Sequence, residues 1–481
     1  MPIQCRNLKS AYENPELVQE YLDNEIRLGR IKGPYIEKPF PIFRCNPIGL
    51  VPKKTPGKFR MITNLSAPVG ASLNDFIDKA QFPLSYVTVD KAIDSIIRLG
   101  QGSLLSKVDI AEAFRIIPVA SSQWHLLGIH WNGKYYVDTR LTMGGRSSPY
   151  IFDSLSTAIE WLLETNYSLE DIFHLLDDFL TVEDRQSGGP ALAIMLKVFQ
   201  KLGIPICEGK VEGPSTCLEF LGITLDTIRM EARLSVDKVS ALKDKLSVLM
   251  MKKKVTKREL LSIIGSLSFA CRVVVPGRSF LSRLISLSCT ARELDFKVYT
   301  NKHIKEDIRL WQSFLSAWNG RNFFLARETT SSADLEFSTD AASGSGYGGY
   351  FAGSWFSGSW EDKQRDWSMP CQELFPIWVS IVVWADRLSG KRIMVHCDNA
   401  STVDFLNKGY TNKEPAATIL RKIMLASMRG NFCLKAKHIP GKLNILADHL
   451  SRFKIQSFKE CCSSADPLPT PIPEHLLHFG S

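Results

Sequence analysis

Hydrophobic residues recur at two different spacings along the first half of the chain. Over residues 1–35 they return every three or four positions, which predicts amphipathic helix. From about 41 to 66, two short apolar runs flank a Pro/Gly turn, which predicts a hairpin. Residues 172–182 place Asp177-Asp178 between two apolar runs, as at the tip of a second hairpin. Further strands are predicted over 103–119 and 134–142, and helices over 148–165 and 188–202.

The second half is mostly helical over residues 235–320 and then changes character. The polar stretch 327–334 is predicted to be a linker. Beyond it, strands and helices alternate, which predicts a separate α/β domain of about 120 residues. The tail from 456 contains several prolines and is predicted to be extended or disordered. The expected strands of the α/β domain are 335–339, 392–397 and 432–438, with a Gly-rich hairpin at 344–358 and helices at 371–388, up to 428, and 445–453.

Composition limits the classes of protein that fit. Dividing 481 residues by about 150 per domain gives about three domains. Hydrophobic residues make up 44% and charged residues 23%, which excludes wholesale disorder and fibrous classes. The net charge of +9 is compatible with a nucleic-acid partner without proving one. Eleven cysteines without a C-x-x-C pair predict reduced, mostly buried thiols. With no signal peptide or membrane segment apparent, an intracellular location is expected, and cytoplasm and nucleus are not distinguished.

Three acids in the first half stand where predicted strands end. Asp109 follows an apolar run, and Asp177-Asp178 interrupts another. For an isolated Asp-Asp pair, a solvent-facing turn is the simpler interpretation, because buried carboxylates repel each other and lose hydration. The alternative is a divalent cation site, since Mg²⁺ prefers carboxylates together with substrate phosphates. Acids from two adjacent strands can hold two metal ions for in-line phosphoryl transfer.

These motifs resemble those of reverse transcriptases. Asp109 and Phe114 are similar to the family's D-x-x-x-x-[FY] motif, and Leu175 to Asp178 is similar to its Y-x-D-D box. The resemblance implies that Asp109, Asp177 and Asp178 are catalytic ligands of two Mg²⁺ ions, with Mn²⁺ as an alternative. It also implies that Phe114 is the aromatic side chain that excludes a ribose 2′-OH.

Other segments extend the resemblance to the nucleotide site. Residues 141–152, with Met143 and Gly144, look like the motif that faces nucleotide and template, and Lys210 looks like the lysine that protonates the leaving pyrophosphate. Lys53 and Arg60 are implied to contact the triphosphate. The sequence departs from the family pattern at Leu175, where the box has tyrosine, and at Met143, where glutamine or phenylalanine is usual. These departures predict changed nucleotide affinity or fidelity.

A second set of acids follows the predicted linker. Asp340 and Asp398 end apolar strands, Glu373 precedes an apolar helix stripe, and Asp448 lies ten residues after His438. Scattered acids are usually surface carboxylates, so each one alone indicates little. Their order and context resemble ribonuclease H. That resemblance implies that the four acids bind two Mg²⁺ ions and that His438 assists proton transfer or product release.

The implied fold is α+β/α/β and multidomain, a right-hand polymerase with fingers, palm and thumb, followed by a helical connection and a ribonuclease H-like α/β domain. Four sequence segments resemble those of DIRS-type retrotransposons, namely 258–271, 276–280, 373–377 and 397–403. Elements of that type also encode a tyrosine recombinase. The expected divisions are 1–235 for fingers and palm, 236–326 for thumb and connection, 327–334 for the linker, 335–455 for the ribonuclease H-like domain and 456–481 for the tail.

A basic cluster lies where a thumb helix would contact primer–template phosphates. Its members are Lys252, Lys253, Lys254, Lys257 and Arg258, and a solvated helix surface is the alternative interpretation. The expected partners are RNA template, DNA primer, RNA–DNA hybrid and dNTPs, with a recombinase or gag-like protein on another chain as a further candidate. Two other functions remain open: a catalytically weak or domesticated hybrid-binding protein, and a recombinase-associated structural subunit.

Overall fold

The structure is a computed structural model that describes residues 3–53, 57–317, 321–323, 329–331, 337–430 and 432–477. The chain divides into two compact units, Met1–Leu221 and Gly222–Ser481. Within the described residues, no helix combines the length and the apolar character needed to cross a membrane.

The first unit begins with helices Lys9–Glu13 and Pro15–Arg27, which bury Val18 and Leu22. The helical prediction for 1–35 is wrong at its end, because Ile31–Tyr35 is a strand. Gly29, with φ +68°, turns the chain out of the helix. This strand is the edge of a five-stranded sheet ordered Ile3–Gln4, Arg44–Cys45, Gly128–Trp131, Lys134–Asp138 and Ile31–Tyr35.

The predicted hairpin at 41–66 is confirmed as strands Ile48–Pro52 and Phe59–Thr63, which pair antiparallel. A four-stranded sheet follows, ordered Glu212–Ser215, Leu104–Asp109, Asp178–Glu183 and Ile172–Leu175. Helices Ser148–Tyr167 and Ala191–Lys201 confirm the two predicted helices. Their apolar faces and the sheet form one core around Phe152, Phe179 and Phe199. This unit also contains helix Val89–Leu99 and strand Cys217–Phe220.

The strand predicted over 103–119 ends earlier, at Asp109. Glu112 and Ala113 have φ of +58° and +25°, values that an extended strand does not contain. A 3₁₀ turn, Ala113–Ile116, replaces the second half of the predicted strand and carries Phe114.

The second unit opens with strands Ile223–Asp226, Glu231–Leu234 and Arg321–Phe323, which pair antiparallel in that order. A short hairpin pairs Lys254–Thr256 with Lys297–Tyr299. The predicted helical region contains helices Val236–Met251, Lys257–Ala270, Ser282–Thr290 and Lys302–Ala317. Asp307 on the last of these helices is fully buried and forms ion pairs with Arg283 and Arg421.

The α/β part of the second unit contains two groups of three strands. Phe337–Ala342, Gly346–Phe351 and Ser354–Ser359 are antiparallel, and the strands Thr329–Ser331, Arg392–Cys397 and Cys433–His438 are parallel. Thr329–Ser331 belongs to the predicted linker, whose other residues lie outside the described ones. The helices are Asp362–Arg365, Met369–Val383, Ala385–Leu388, Ala400–Lys408, Ala416–Arg429 and Ile445–Ser451.

The tail prediction is wrong for its first residues, because Ile455–Cys461 is a helix. Phe458 on this helix is completely buried, with its ring 5.9 Å from Tyr350 and 5.5 Å from Trp355. Asp466 and Thr470 donate backbone N–H groups to Gly353 and Trp355 carbonyls. The segment therefore completes the hydrophobic core of the antiparallel strands, and a second short helix, Glu474–Leu477, follows it.

All eleven cysteines are free thiols, as predicted, but most of them are not buried. Three are buried, namely Cys45, Cys371 and Cys397.

We expect Phe458→Ala to destabilise the second unit by about 3–5 kcal/mol, because it leaves a cavity between Tyr350 and Trp355. Urea unfolding followed by tryptophan fluorescence measures the change. Leu468→Ala, in the same tail but 76% exposed, is the matched control and should shift stability by less than about 0.5 kcal/mol. Equal effects from the two substitutions would show that the tail helix contributes nothing to the core.

Candidate active sites

The first candidate site forms where two strands meet in register. Asp109 ends strand Leu104–Asp109, Asp178 begins strand Asp178–Glu183, and the two residues are direct cross-strand partners. Asp177 lies beside them at the hairpin turn, where Leu176 adopts a positive φ of 55°. The Ile110 N–H donates to the Asp177 carbonyl over 2.9 Å, which fixes the turn against the strand that carries Asp109.

Burial and mutual repulsion perturb these carboxyls. Burial first, and then the neighbouring Asp109 carboxyl, raise the pKa of Asp178 to about 6. Burial likewise raises the pKa of Asp177 above its usual value. Lys210 Nζ donates to Asp109 Oδ2 over 2.6 Å, and this hydrogen bond raises the pKa of the lysine. Lys210 is thus hydrogen-bonded to one of the three acids, and Lys107 and Arg60 partly offset the raised pKa values of Asp178 and Asp177.

Three of the residues predicted to bind nucleotide lie together. Arg60 Nη1 is 3.8 Å from Met143 Sδ, and Met143 is 46% exposed. Gly144 follows, with its carbonyl accepting from Asn74 Nδ2 over 2.9 Å. A Cβ on Gly144 would lie 2.3 Å from the Thr63 carbonyl oxygen, so the close approach of these two backbone segments requires glycine. Lys53 is exposed at the turn end of the same hairpin.

Phe114 is anchored by a charged network that the sequence analysis did not find. Its ring packs 5.2 Å from Phe152, and the next residue, Arg115, is partly buried between two carboxylates. Arg115 donates to Asp138 over 2.8 and 2.9 Å and to Glu25 over 2.6 and 3.1 Å. These four hydrogen bonds hold the 3₁₀ turn despite its positive φ values. The only sequence signal was an arginine within an apolar run.

The second candidate site contains the acids of the α/β part. Asp340 lies within strand Phe337–Ala342, Glu373 in the first turns of helix Met369–Val383, and Asp398 directly after strand Arg392–Cys397. Burial first, and then Asp398 and Asp448, raise the pKa of Asp340 to about 6, although its hydrogen bond from Ser451 opposes the shift. Burial, followed by Asp340 and Asp398, raises the pKa of Glu373 well above its usual value. The four predicted acids thus form one electrostatic group.

Helix Ile445–Ser451 and the residues beside it supply further polar groups, and sequence reasoning missed two of them, Ser451 and Arg452. Ser451 Oγ donates to Asp340 Oδ2 over 2.6 Å, and Asn444 Nδ2 donates to Asp340 Oδ1 over 3.3 Å. Arg452 Nε donates to Asp448 Oδ1 over 2.6 Å. Ser451 and Arg452 stand three and four positions after Asp448, a spacing that places them on its side of a helix. This spacing was the available sequence signal.

Two further side chains border the second site. His438, which is exposed, lies with Nε2 2.9 Å from the Asp398 carbonyl oxygen. Cys397 is buried, and its ligand atom lies within 4.8 Å of those of Glu373 and Asp398. Among the described residues this is the single group of three metal-ligating side chains that are so close together. Burial, and then the Glu373 carboxylate, raise the pKa of the Cys397 thiol.

The predicted basic cluster is partly neutralised within the protein. Lys252 donates to Glu259 over 2.5 Å, and Arg258 pairs with Asp295 at 3.1 Å. Lys257 donates to the Ala291 carbonyl, and Lys254 lies 4.6 Å above the Tyr299 ring. Lys253 is exposed. The cluster therefore offers less unpaired positive charge to a nucleic acid than its five basic residues suggest from the sequence alone.

Both acidic groups fit divalent cations by the chemistry of their donors. The first consists of carboxylates, the oxygen ligands that Mg²⁺ prefers. In the second, Glu373 is 2% exposed, and its Oε1 atom has no hydrogen-bond partner. A buried, unpaired carboxylate oxygen is costly unless a cation or proton neutralises it.

Comparisons with known proteins agree with the first site. Residues 51–225 match the family model described as reverse transcriptase (RNA-dependent DNA polymerase), so this segment is a reverse transcriptase domain. Asp109, Asp177, Asp178 and Lys210 lie inside it. The match confirms the reverse transcriptase resemblance for this segment and supports RNA-directed DNA polymerase activity. No curated protein sequence matches the chain.

Solved structures extend the likeness in fold. A foamy viral protease-reverse transcriptase described as dRH, bound to double-stranded DNA, has a TM-score of 0.53 at 18% identity, over 91% of this chain and 71% of that one. The foamy viral protease-reverse transcriptase bound to an RNA/DNA hybrid has the same score and identity, over 91% and 55%. A third, bound to double-stranded DNA, has a score of 0.52 at 19% identity, over 91% and 85%. This chain therefore has a reverse-transcriptase-like fold.

We expect Asp178→Asn to stabilise the metal-free protein at pH 7.5. Because the folded-state pKa is about 6 and the usual value is 3.8, ionisation opposes folding above pH 6, and the opposition fades as the pH falls toward 4. The expected gain is on the order of 2 kcal/mol at pH 7.5 and less than half of that near pH 4.5. Urea unfolding in EDTA measures both values.

Asp404→Asn is the control, since Asp404 forms an exposed pair with Lys408 and such pairs contribute little. A gain for Asp178→Asn that is independent of pH would contradict the electrostatic account.

Proposed function

We propose that the chain is an RNA-directed DNA polymerase with a linked ribonuclease H, which copies retroelement RNA into DNA and degrades the RNA of the resulting hybrid. The observation that carries the proposal is the register of Asp109 opposite Asp178 inside a reverse transcriptase domain. The proposed ribonuclease H activity is supported by the electrostatic group of Asp340, Glu373, Asp398 and Asp448.

In this proposal, residues 1–235 are fingers and palm, 236–326 thumb and connection, and 335–455 a ribonuclease H-like domain. Support for the last comes from the antiparallel strands 337–359, the parallel strands 392–397 and 433–438, and the helices between them. The amino-acid sequence of residues 258–271 and 397–403 favours a DIRS-like element.

Asp109, Asp177 and Asp178 would hold the catalytic Mg²⁺ ions, which supply positive charge for in-line phosphoryl transfer when bound. The Lys210 ammonium must leave Asp109 Oδ2 before that oxygen can serve as a ligand. Once released, Lys210 Nζ would donate a proton to the leaving pyrophosphate. Arg60 would bind the triphosphate, and Phe114, fixed by Arg115, would exclude a 2′-OH.

In the second site, Asp340, Glu373, Asp398 and Asp448 would hold Mg²⁺. Ser451 and Asn444 orient the Asp340 carboxylate by donating to its two oxygens. His438 is exposed beside Asp398, where it can move a proton to or from solvent. One solved relative in fold binds an RNA/DNA hybrid, which supports such a hybrid as substrate.

We expect Asp109→Asn and Asp398→Asn to separate the two activities. Each removes a charged ligand from one site only, so primer extension should fall roughly 100-fold or more in the first, and RNA cleavage by the same factor in the second. The measurement uses one RNA template, a 5′-labelled primer and Mg²⁺, with the RNA strand labelled separately. Each variant is the control for the other. Hybrid binding without either reaction in the parent chain would favour the hybrid-binding alternative.

We also expect hybrid binding to weaken steeply with salt, because phosphate contacts release counterions. Lys253→Gln should reduce the slope of log K against log [salt] by about 1. Fluorescence anisotropy with a labelled hybrid at several salt concentrations measures the slope. Lys302→Gln, which changes an exposed lysine at the start of helix Lys302–Ala317, is the control. An unchanged slope in both variants would exclude Lys253 from the interface.

A further inference from the structure

The second acidic site contains a sulfur atom that its proposed function does not use. Cys397 ends strand Arg392–Cys397 and is 2% exposed. Its Sγ and the carboxylate oxygens of Glu373 and Asp398 all lie within 4.8 Å of one another. Two carboxylates and a thiol therefore converge on one point between the strand end and helix Met369–Val383.

An independent observation indicates that this point suits a ligand. Glu373 is as deeply buried as Cys397, at 2% exposure, yet its Oε1 accepts no hydrogen bond. Cys397 Sγ accepts a hydrogen bond from the Asn399 N–H over 3.4 Å, which holds the sulfur near the strand end. A buried carboxylate oxygen without a donor is costly, and a cation removes that cost.

The donor set differs from one that selects Mg²⁺. Mg²⁺ binds oxygen ligands, whereas thiolates select softer ions such as Zn²⁺. A tetrahedral zinc site with Zn–S of about 2.3 Å and Zn–O of about 2.0–2.2 Å places its ligand atoms about 3.5 Å apart. Because their ligand atoms lie within 4.8 Å of one another, the three side chains need to close by at most about 1.3 Å to reach that geometry.

We propose that Glu373, Cys397 and Asp398 form a binding site for a thiophilic divalent cation, Zn²⁺ or its analogue Cd²⁺. Binding forms one metal–sulfur bond and releases the thiol proton to solvent, with no change of oxidation state. Three protein ligands leave one coordination position open, as in catalytic rather than structural zinc sites. Glu373 and Asp398 are also proposed ligands of Mg²⁺ in the ribonuclease H-like site. A thiophilic ion bound to them therefore excludes Mg²⁺ from these two carboxylates.

The test is a Cd²⁺ titration of the reduced, metal-free full-length chain, followed by ultraviolet sulfur-to-cadmium charge-transfer absorption. The parent should show a band that saturates at one equivalent, and Cys397→Ser should lose that band and bind Cd²⁺ roughly 100-fold more weakly. Glu373→Gln should weaken binding while retaining the band. Thermal melting of each metal-free variant verifies that it is folded.

Cys371→Ser is the matched control, because Cys371 is as buried as Cys397 and lies on the same helix as Glu373. Its sulfur accepts a hydrogen bond from Ser368 Oγ and does not belong to the group of Glu373, Cys397 and Asp398. An unchanged band and affinity in Cys397→Ser would overturn the proposal. The readout is separate from hydrolysis: a chain that binds Cd²⁺ through Cys397 but cleaves no RNA would refute the ribonuclease activity alone. A chain that cleaves RNA and binds Cd²⁺ equally well without Cys397 would refute the zinc site alone.

Discussion

The burial of carboxylates beside one another governs the chemistry of both acidic sites. Asp178 and Asp340 each have a pKa near 6, because folding removes water from them and brings other acids close. In the first site, Asp109 and Asp178 are paired across adjacent strands, so these two acids cannot separate without breaking the sheet. In the second site, the acids are brought together by the packing of strands and helices. The favourable free energy of the surrounding cores thus maintains two regions of concentrated negative charge, which cations can stabilise.

Much of the first site could be predicted from local sequence. The two apolar runs on either side of Asp177-Asp178 have the length of hairpin strands, and the structure places the pair at the turn between them. The partnership of Asp109 with Asp178 was harder to predict, because it depends on pairing between strands almost seventy residues apart. Family resemblance supplied that pairing, whereas hydrophobic periodicity alone gave only the strand ends.

The unpredicted features depend on contacts that are distant in sequence. Arg115 joins Glu25 and Asp138, which belong to a helix and a strand on either side of it in the chain. The proline-rich composition after residue 456 suggested disorder, yet Phe458 packs against Tyr350 and Trp355 in a hydrophobic cluster. Composition describes only the average of a segment. The burial of one large aromatic residue, Phe458, stabilises a helix at the start of this one.

The buried Asp307 bears on how this chain could be divided or recombined. Its carboxylate, on the last long helix before the α/β part, pairs with Arg421 from within that part, and the Arg421 guanidinium also lies 4.6 Å above Phe280. Cutting the chain at residue 335 would strip Arg421 of both neighbours and expose an apolar surface with them. The helical region and the α/β part therefore belong to one compact unit, and a boundary placed between them would divide a buried ion pair.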